Sequence, residues 1–275
     1  MRNLKTHTSL IFFSLTFLLT WACWIPAALL PSTGNETLIR LLHYAGGAMP
    51  TVATLLLLFT LTDRDERADY WRRLLALKQV GGGWYAVIFL TVPILTVLAG
   101  GIDFLLGGEG AQLHTLINLI RHPLSLIPFA VFLLLFGPVT EEMAWRGYAL
   151  NDLQKKRSAL VSSLLLGVLW TVWHLPLFWI EGSYQQGLGV GTVSFWLYML
   201  DKIPQSILMT WIYNNNRRVT ATAILFHFMV NFVGELADLT RRAEVFYITS
   251  WWAVALLVVL IYKPKRLVRE ASPSE

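Results

Sequence analysis

One apolar stretch follows another along this chain, each long enough to cross hydrocarbon. A bilayer core of about 30 Å needs about 20 consecutive apolar residues in a helix. Eight stretches answer to that length: 9–30, 41–62, 84–106, 123–149, 158–180, 192–213, 219–238 and 245–262. Lipid offers no partner to an unpaired backbone N–H or C=O, so only helices and closed barrels can span it. Barrel strands alternate apolar with polar residues, and these stretches do not. The expected class is all-α: a polytopic membrane helical bundle with about eight transmembrane helices. No linker or internal repeat divides it, so residues 1–275 read as a single membrane-embedded domain. Composition agrees, with 55% hydrophobic residues, 14% charged residues and a mean hydropathy of +0.55, less polar surface than a soluble domain requires. The first stretch exceeds a signal-peptide core and lacks a clear small-residue cleavage site, so it reads as a span. The single cysteine, Cys23, rules out an intramolecular disulfide and a cysteine-based metal cluster.

Lys and Arg residues set an orientation. With the N-terminus inside, sixteen fall on the inner side: Arg2, Lys5, Arg64, Arg67, Arg72, Arg73, Lys78, Lys155, Lys156, Arg157, Arg217, Arg218, Lys263, Lys265, Arg266 and Arg269. Only Arg40, Arg121, Arg241 and Arg242 fall outside. This asymmetry predicts cytoplasmic termini in a plasma (inner) membrane, of a prokaryote by expectation, with an even number of spans. The net charge of +5 then reflects topology and attraction to anionic membrane lipid. Its scatter over five loops and tails argues against a nucleic-acid partner. Within the inner loop DRDERADYWRRLLALKQVGGG, Trp71, Leu74, Leu75 and Leu77 suggest an interfacial helix.

Ionisable residues inside spans are costly and demand a partner or a function. The fourth span holds Glu141, Glu142 and Arg146, the fifth His174, the sixth Asp201 and Lys202, and the seventh His227, Asn231 and Glu235. At about 1.5 Å per helical residue, counted from the inner charges, Glu141 and Glu142 come about 20 Å deep. His174 comes about 25 Å, Asn231 about 20 Å and His227 about 14 Å deep. Side chains from three separate helices thus meet one layer near mid-membrane. Glu142 and Arg146 are four apart, the spacing of an ion pair, which leaves Glu141 about 100° round the helix to face a cavity. His227 and Asn231 share a face by the same spacing. Asp201 and Lys202, just before Pro204, are expected to mark a broken helix rather than chemistry. Glu235 is expected to reach outer water, and Trp251 and Trp252 to anchor a span end.

Carboxylate and imidazole around a trapped water make a hydrolase set. Glu141 can serve as general base while His174 orients the water, and His227 and Asn231 can hold an oxyanion. Alternatively Glu141, His174 and His227 bind zinc and leave one position open. The residues leave both schemes open. No HExxH, GxSG or GxGD pattern is present.

Three motifs in order resemble the CPBP family of intramembrane proteases, which includes the type II CAAX prenyl endopeptidases. That family's EExxxR is matched by Glu141-Glu142-Met-Ala-Trp-Arg146, its FxxxH by Trp170-Thr-Val-Trp-His174 and its HxxxN by His227-Phe-Met-Val-Asn231. Trp170 departs from the usual phenylalanine. The motif-bearing core runs over about residues 123–238. The resemblance implies an eight-helix fold and hydrolysis of a peptide bond of a membrane-associated or lipidated protein or peptide. It implies an active centre of Glu141, Glu142, Arg146, His174, His227 and Asn231, and leaves open a metalloprotease or a glutamate-activated water. In the eukaryotic branch the substrate is a prenylated C-terminal tail; other members are linked to bacteriocin immunity or maturation. The alternative is a non-enzymatic protein, either an immunity or binding protein or a proton-coupled transporter. A transporter should show paired halves with matching broken helices, and no such pairing is evident in the sequence.

Overall fold

The computed structural model describes residues 8–268; Arg2, Lys5 and Arg269 lie outside the described residues. The described residues are almost wholly helical. In order the helices are α1 (Thr8–Leu29), α2 (Glu36–Leu61), α3 (Arg64–Leu74), α4 (Gly82–Leu105) and α5 (His114–Arg121). They continue with α6 (Pro123–Leu153), α7 (Ala159–Trp173), α8 (Val193–Asn215), α9 (Thr220–Leu236) and α10 (Arg241–Tyr262). A one-turn helix, Tyr184–Leu188, lies between α7 and α8. A two-residue antiparallel ladder pairs Ala111 with Leu239 and Gln112 with Asp238.

Start signals are read from side chains. Asp63 and Glu66 close a capping box on α3. Ser158, Thr192 and Thr240 each accept from a backbone N–H three residues on and so begin α7, α8 and α10.

Among the described residues six helical stretches are long and apolar enough to cross a membrane: α1, α2, α4, α6, α10, and α7 carried on to Trp179. Helix α9 has 17 residues, and α8 is diluted by Asp201, Lys202 and Gln205. Six, not eight, therefore stand by length and composition. The surface is that of a protein in lipid: Leu18, Phe59, Val97, Leu256 and Leu260 are exposed, while Glu142, Arg146, Ser162 and Thr210 are fully buried. The chain is an integral membrane protein.

An aromatic core holds the bundle, with Phe12, Trp24, Trp145, Trp170, Trp173 and Trp251 shut off from the surroundings. Indole N–H groups tie helices together: Trp24 Nε1 donates to His43 O at 2.8 Å, and Trp173 Nε1 to Thr20 Oγ1 at 2.9 Å. Trp251 does not anchor a span end. It sits mid-helix in α10, buried edge-on against Phe226 at 5.9 Å, because α10 begins at Arg241, four residues before the expected span. Helix α3 lies against the bundle, where Tyr70 OH donates to Met143 O at 3.1 Å.

Helix α6 is not the unbroken rod that the sequence suggests. Phe136 (φ −95°, ψ 90°) and Gly137 (φ 126°, ψ −89°) leave the helical region, and the chain turns helical again at Thr140. A φ of 126° excludes most L side chains, so the position needs glycine, and Pro138 suits a helix restart because its missing N–H would go unpaired there anyway.

Candidate active site

The restart in α6 sets the site. Glu141 and Glu142 occupy the first turn of the new helical segment. There the unpaired N–H groups and the positive end of the helix favour carboxylates. Thr51 Oγ1 in α2 donates to Thr140 O at 2.6 Å and fixes the entry to that turn. A π turn over Trp145–Ala149 follows.

Helix α7 ends by a different route. The His174 amide bonds to Thr171 O at 3.2 Å, a tightened turn, and Pro176 cannot supply the next helical donor. The Trp170 carbonyl is thereby left for a side chain, and His174 Nδ1 lies 2.7 Å from it. A carbonyl only accepts, so Nδ1 carries the proton and Nε2 of the neutral ring is an acceptor.

Behind the site Glu142 and Arg146 form a bidentate pair. Arg146 Nη1 donates to Glu142 Oε1 at 2.8 Å and to Oε2 at 2.9 Å, and both side chains are fully buried. The Arg146 guanidinium also stands 5.0 Å above the Trp170 ring. Glu142 Oε1 takes a further bond from His227 Nδ1 on α9 at 2.9 Å. Glu142 and Arg146 thus support His227 from behind and are not among the residues lining the cavity.

In front lies a cavity of about 520 Å³, lined by Glu141, Trp170, His174, His227 and Asn231, together with His43 and Tyr44 of α2. The Gly182–Gln185 turn and Glu235 also line it, so it extends toward the end of the bundle away from Lys155–Arg157. Glu235, which is exposed, sits at that end. Trp170 links the parts. Its Nε1 donates to Glu141 Oε2 at 2.6 Å, and its ring lies 5.2 Å from that of His227 and 5.8 Å from that of His174. Glu141, His174 and His227 are therefore neighbours of one side chain. Gly137 sits at the far wall, where an added Cβ would lie 3.3 Å from Asn231 Nδ2 and 3.8 Å from Glu141 Oε1.

Helix α8 contributes a polar face to the cavity. Tyr198, Asp201, Lys202 and Gln205 all line the cavity. Lys202 Nζ pairs with Asp201 Oδ1 at 2.8 Å and lies 4.0 Å above the Tyr198 ring, while Gln205 Nε2 donates to Asp201 Oδ2 at 3.1 Å. The helix runs on through Pro204. Asp201 and Lys202 are cavity residues, not marks of a broken helix. Their spacing of i, i+3, i+4 and i+7 was the legible signal.

The zinc alternative needs Glu141, His174 and His227 to close on one ion. Among the described residues no three His, Cys, Asp or Glu side chains are grouped so as to hold a metal. Glu141 Oε2 and His227 Nδ1 are instead engaged with Trp170 and Glu142.

Two likenesses bear on this site. The family model for type II CAAX prenyl endopeptidases, Rce1-like, matches residues 123–233, a range holding Glu141, Glu142, Arg146, His174, His227 and Asn231. CAAX prenyl protease 2 of Methanococcus maripaludis is 29% identical over 255 residues, 92% of this chain and 93% of that protein. The likeness therefore runs through the α1–α5 region as well as the motif-bearing core. The chain is thus similar to the type II CAAX prenyl endopeptidases over its motif-bearing core and to one such protease along most of its length.

Proposed function

We propose that the chain is an intramembrane endopeptidase that cleaves a membrane-associated or lipidated peptide, with a prenylated C-terminal tail as its substrate class. The observation that carries this reading is the shared cavity of Glu141, His174, His227 and Asn231, and the name of the Methanococcus relative supports the substrate class. In this reading Glu141 takes a proton from a water through Oε1, the oxygen not engaged by Trp170. His174 Nε2 accepts the second hydrogen and aims the water. The water oxygen bonds to the scissile carbonyl carbon. The resulting oxyanion is held by Asn231 Nδ2–H and by Nε2–H of a doubly protonated His227, whose Nδ1–H stays on Glu142. Collapse breaks the C–N bond, and the proton on Glu141 passes to the leaving amine. Arg146 keeps Glu142 in place through both its oxygens. The protein sits in a prokaryotic plasma membrane with both termini cytoplasmic, as the Lys and Arg asymmetry supports.

The test uses purified protein in liposomes with a fluorogenic prenylated CAAX-type peptide and its unprenylated counterpart. Glu141→Gln is expected to slow cleavage by about 10²–10⁴-fold, the usual worth of a general base, with elution and thermal unfolding unchanged. Equal cleavage by both proteins removes Glu141 from the chemistry, and no product from either points to a non-enzymatic role. Activity retained by protein shown metal-free by elemental analysis is the expected outcome for a glutamate-activated water.

A further inference from the structure

At the end of the bundle opposite the cavity lies a second, smaller recess of about 220 Å³. It forms where α3 meets the turn between α8 and α9, and Asp69, Arg72, Arg73, Gln79, Arg217 and Arg218 line it. Four arginines and one aspartate share this lining. That carboxylate is already shared, taking bonds from Arg72 Nη2 at 2.6 Å and from Arg73 Nε at 2.7 Å. Arg73 is itself buried and points Nη1 at Tyr213 OH, 2.6 Å away. The lining therefore carries excess positive charge, and like charges this close repel unless an anion joins them.

The turn shows a second sign of a built site. Arg217 and Arg218 both adopt left-handed backbone, with φ of 52° and 60°. Non-glycine residues enter this region at a cost, and such strain collects at ligand clamps. The turn keeps its shape because the Arg218 amide bonds to Tyr213 O at 2.9 Å and Arg218 Nη1 donates to Asn151 Oδ1 at 2.8 Å. The result is a pair of arginines beside the two on α3. Planar guanidinium forks match the oxygens of a phosphate. Trp71 and Leu75 of the adjoining segment are exposed apolar side chains, which suits a helix lying at the headgroup level. Clusters of basic side chains at the membrane surface attract phosphate-bearing headgroups.

We infer that this recess binds a phosphate ester anion, supplied by a lipid headgroup or by a soluble phosphate compound. The site is separate from the cavity and does not depend on peptide hydrolysis. The test uses full-length, delipidated protein in a neutral detergent, titrated with short-chain phosphatidic acid, with phosphatidylcholine of the same chains and with inorganic phosphate. Wild type is compared with Arg217→Gln/Arg218→Gln, with Arg72→Gln, and with Lys263→Gln/Lys265→Gln, which removes the same charge from the same end. Phosphatidic acid is expected to bind wild type and the lysine variant alike, and to bind either arginine variant about tenfold or more weakly. Competition by inorganic phosphate assigns the site to soluble phosphates, and its absence assigns it to lipid. Equal binding by all four proteins overturns the inference, as does an equal loss in the lysine variant, no binding to wild type, or binding of phosphatidylcholine as tight as that of phosphatidic acid. Glu141→Gln protein serves equally well for these titrations, so the outcome is independent of whether the chain proves to be a protease.

Discussion

Trp170 stands where the related motif carries phenylalanine, and the consequential difference is one N–H. That N–H donates to Glu141 Oε2 at 2.6 Å, while the ring keeps the packing a phenylalanine would also provide. Trp170→Phe removes the donor from a charged acceptor, an interaction worth about 1.5–3 kcal/mol. The expected effect is a fall in kcat of about 10–100-fold with KM little changed, because the bond orients the base rather than the substrate. Steady-state kinetics in liposomes decide it, and an unchanged kcat removes the N–H from the mechanism. Arg146 plays a different part. It is fully buried and bonded to both oxygens of Glu142, so Arg146→Ala leaves a carboxylate without its counter-ion. Breaking such a pair costs about 3–5 kcal/mol. A clear fall in the thermal unfolding temperature in detergent is expected, larger than that of Trp170→Phe.

Among elements, the break at Gly137 does most to set the geometry. It stops one helical segment and starts another, which puts Glu141 and Glu142 at a helix N-terminus instead of mid-helix. Gly137→Ala asks an L side chain to hold φ 126° and brings its Cβ to 3.3 Å from Asn231 Nδ2. The strain is about 1–3 kcal/mol, and the expected outcome is lost cleavage together with a lower unfolding temperature. Gly101→Ala is the matched control. Gly101 lies within α4 with nothing within 4 Å of an added Cβ, so that change should leave stability unaltered or raise it by about 0.5–1 kcal/mol. Equal effects of the two substitutions would sink the argument from Gly137. The Gly137-Pro138 pair was visible as a breaker in the sequence. The surrounding apolar run nevertheless continues without a charge, and hydropathy does not register a turn that stays in lipid. The polar stripe on α8 was likewise present in the spacing of Tyr198, Asp201, Lys202 and Gln205, yet nothing along the chain said which way that stripe faced.

At the scale of the whole molecule, the cavity draws its walls from α2, α6, α7, α8 and α9, helices far apart in sequence. Its position relative to the basic end yields a topology prediction. In intact cells, with Cys23 replaced by serine, a cysteine placed at Gly182 should react with a membrane-impermeant thiol reagent, and one placed at Lys265 should react only after lysis. The reverse pattern would invert the orientation read from Lys and Arg. The motifs and the all-helical class were legible in the sequence. Hydropathy and helical rise act locally and add along a chain, so they survive without knowledge of any neighbour. The hydrogen bond from Trp170 to Glu141, the support of His227 by Glu142 and the turning of α8 toward the cavity arise only when separate helices pack. Their partners are set by side-chain fit across helix surfaces, which no property of one segment contains.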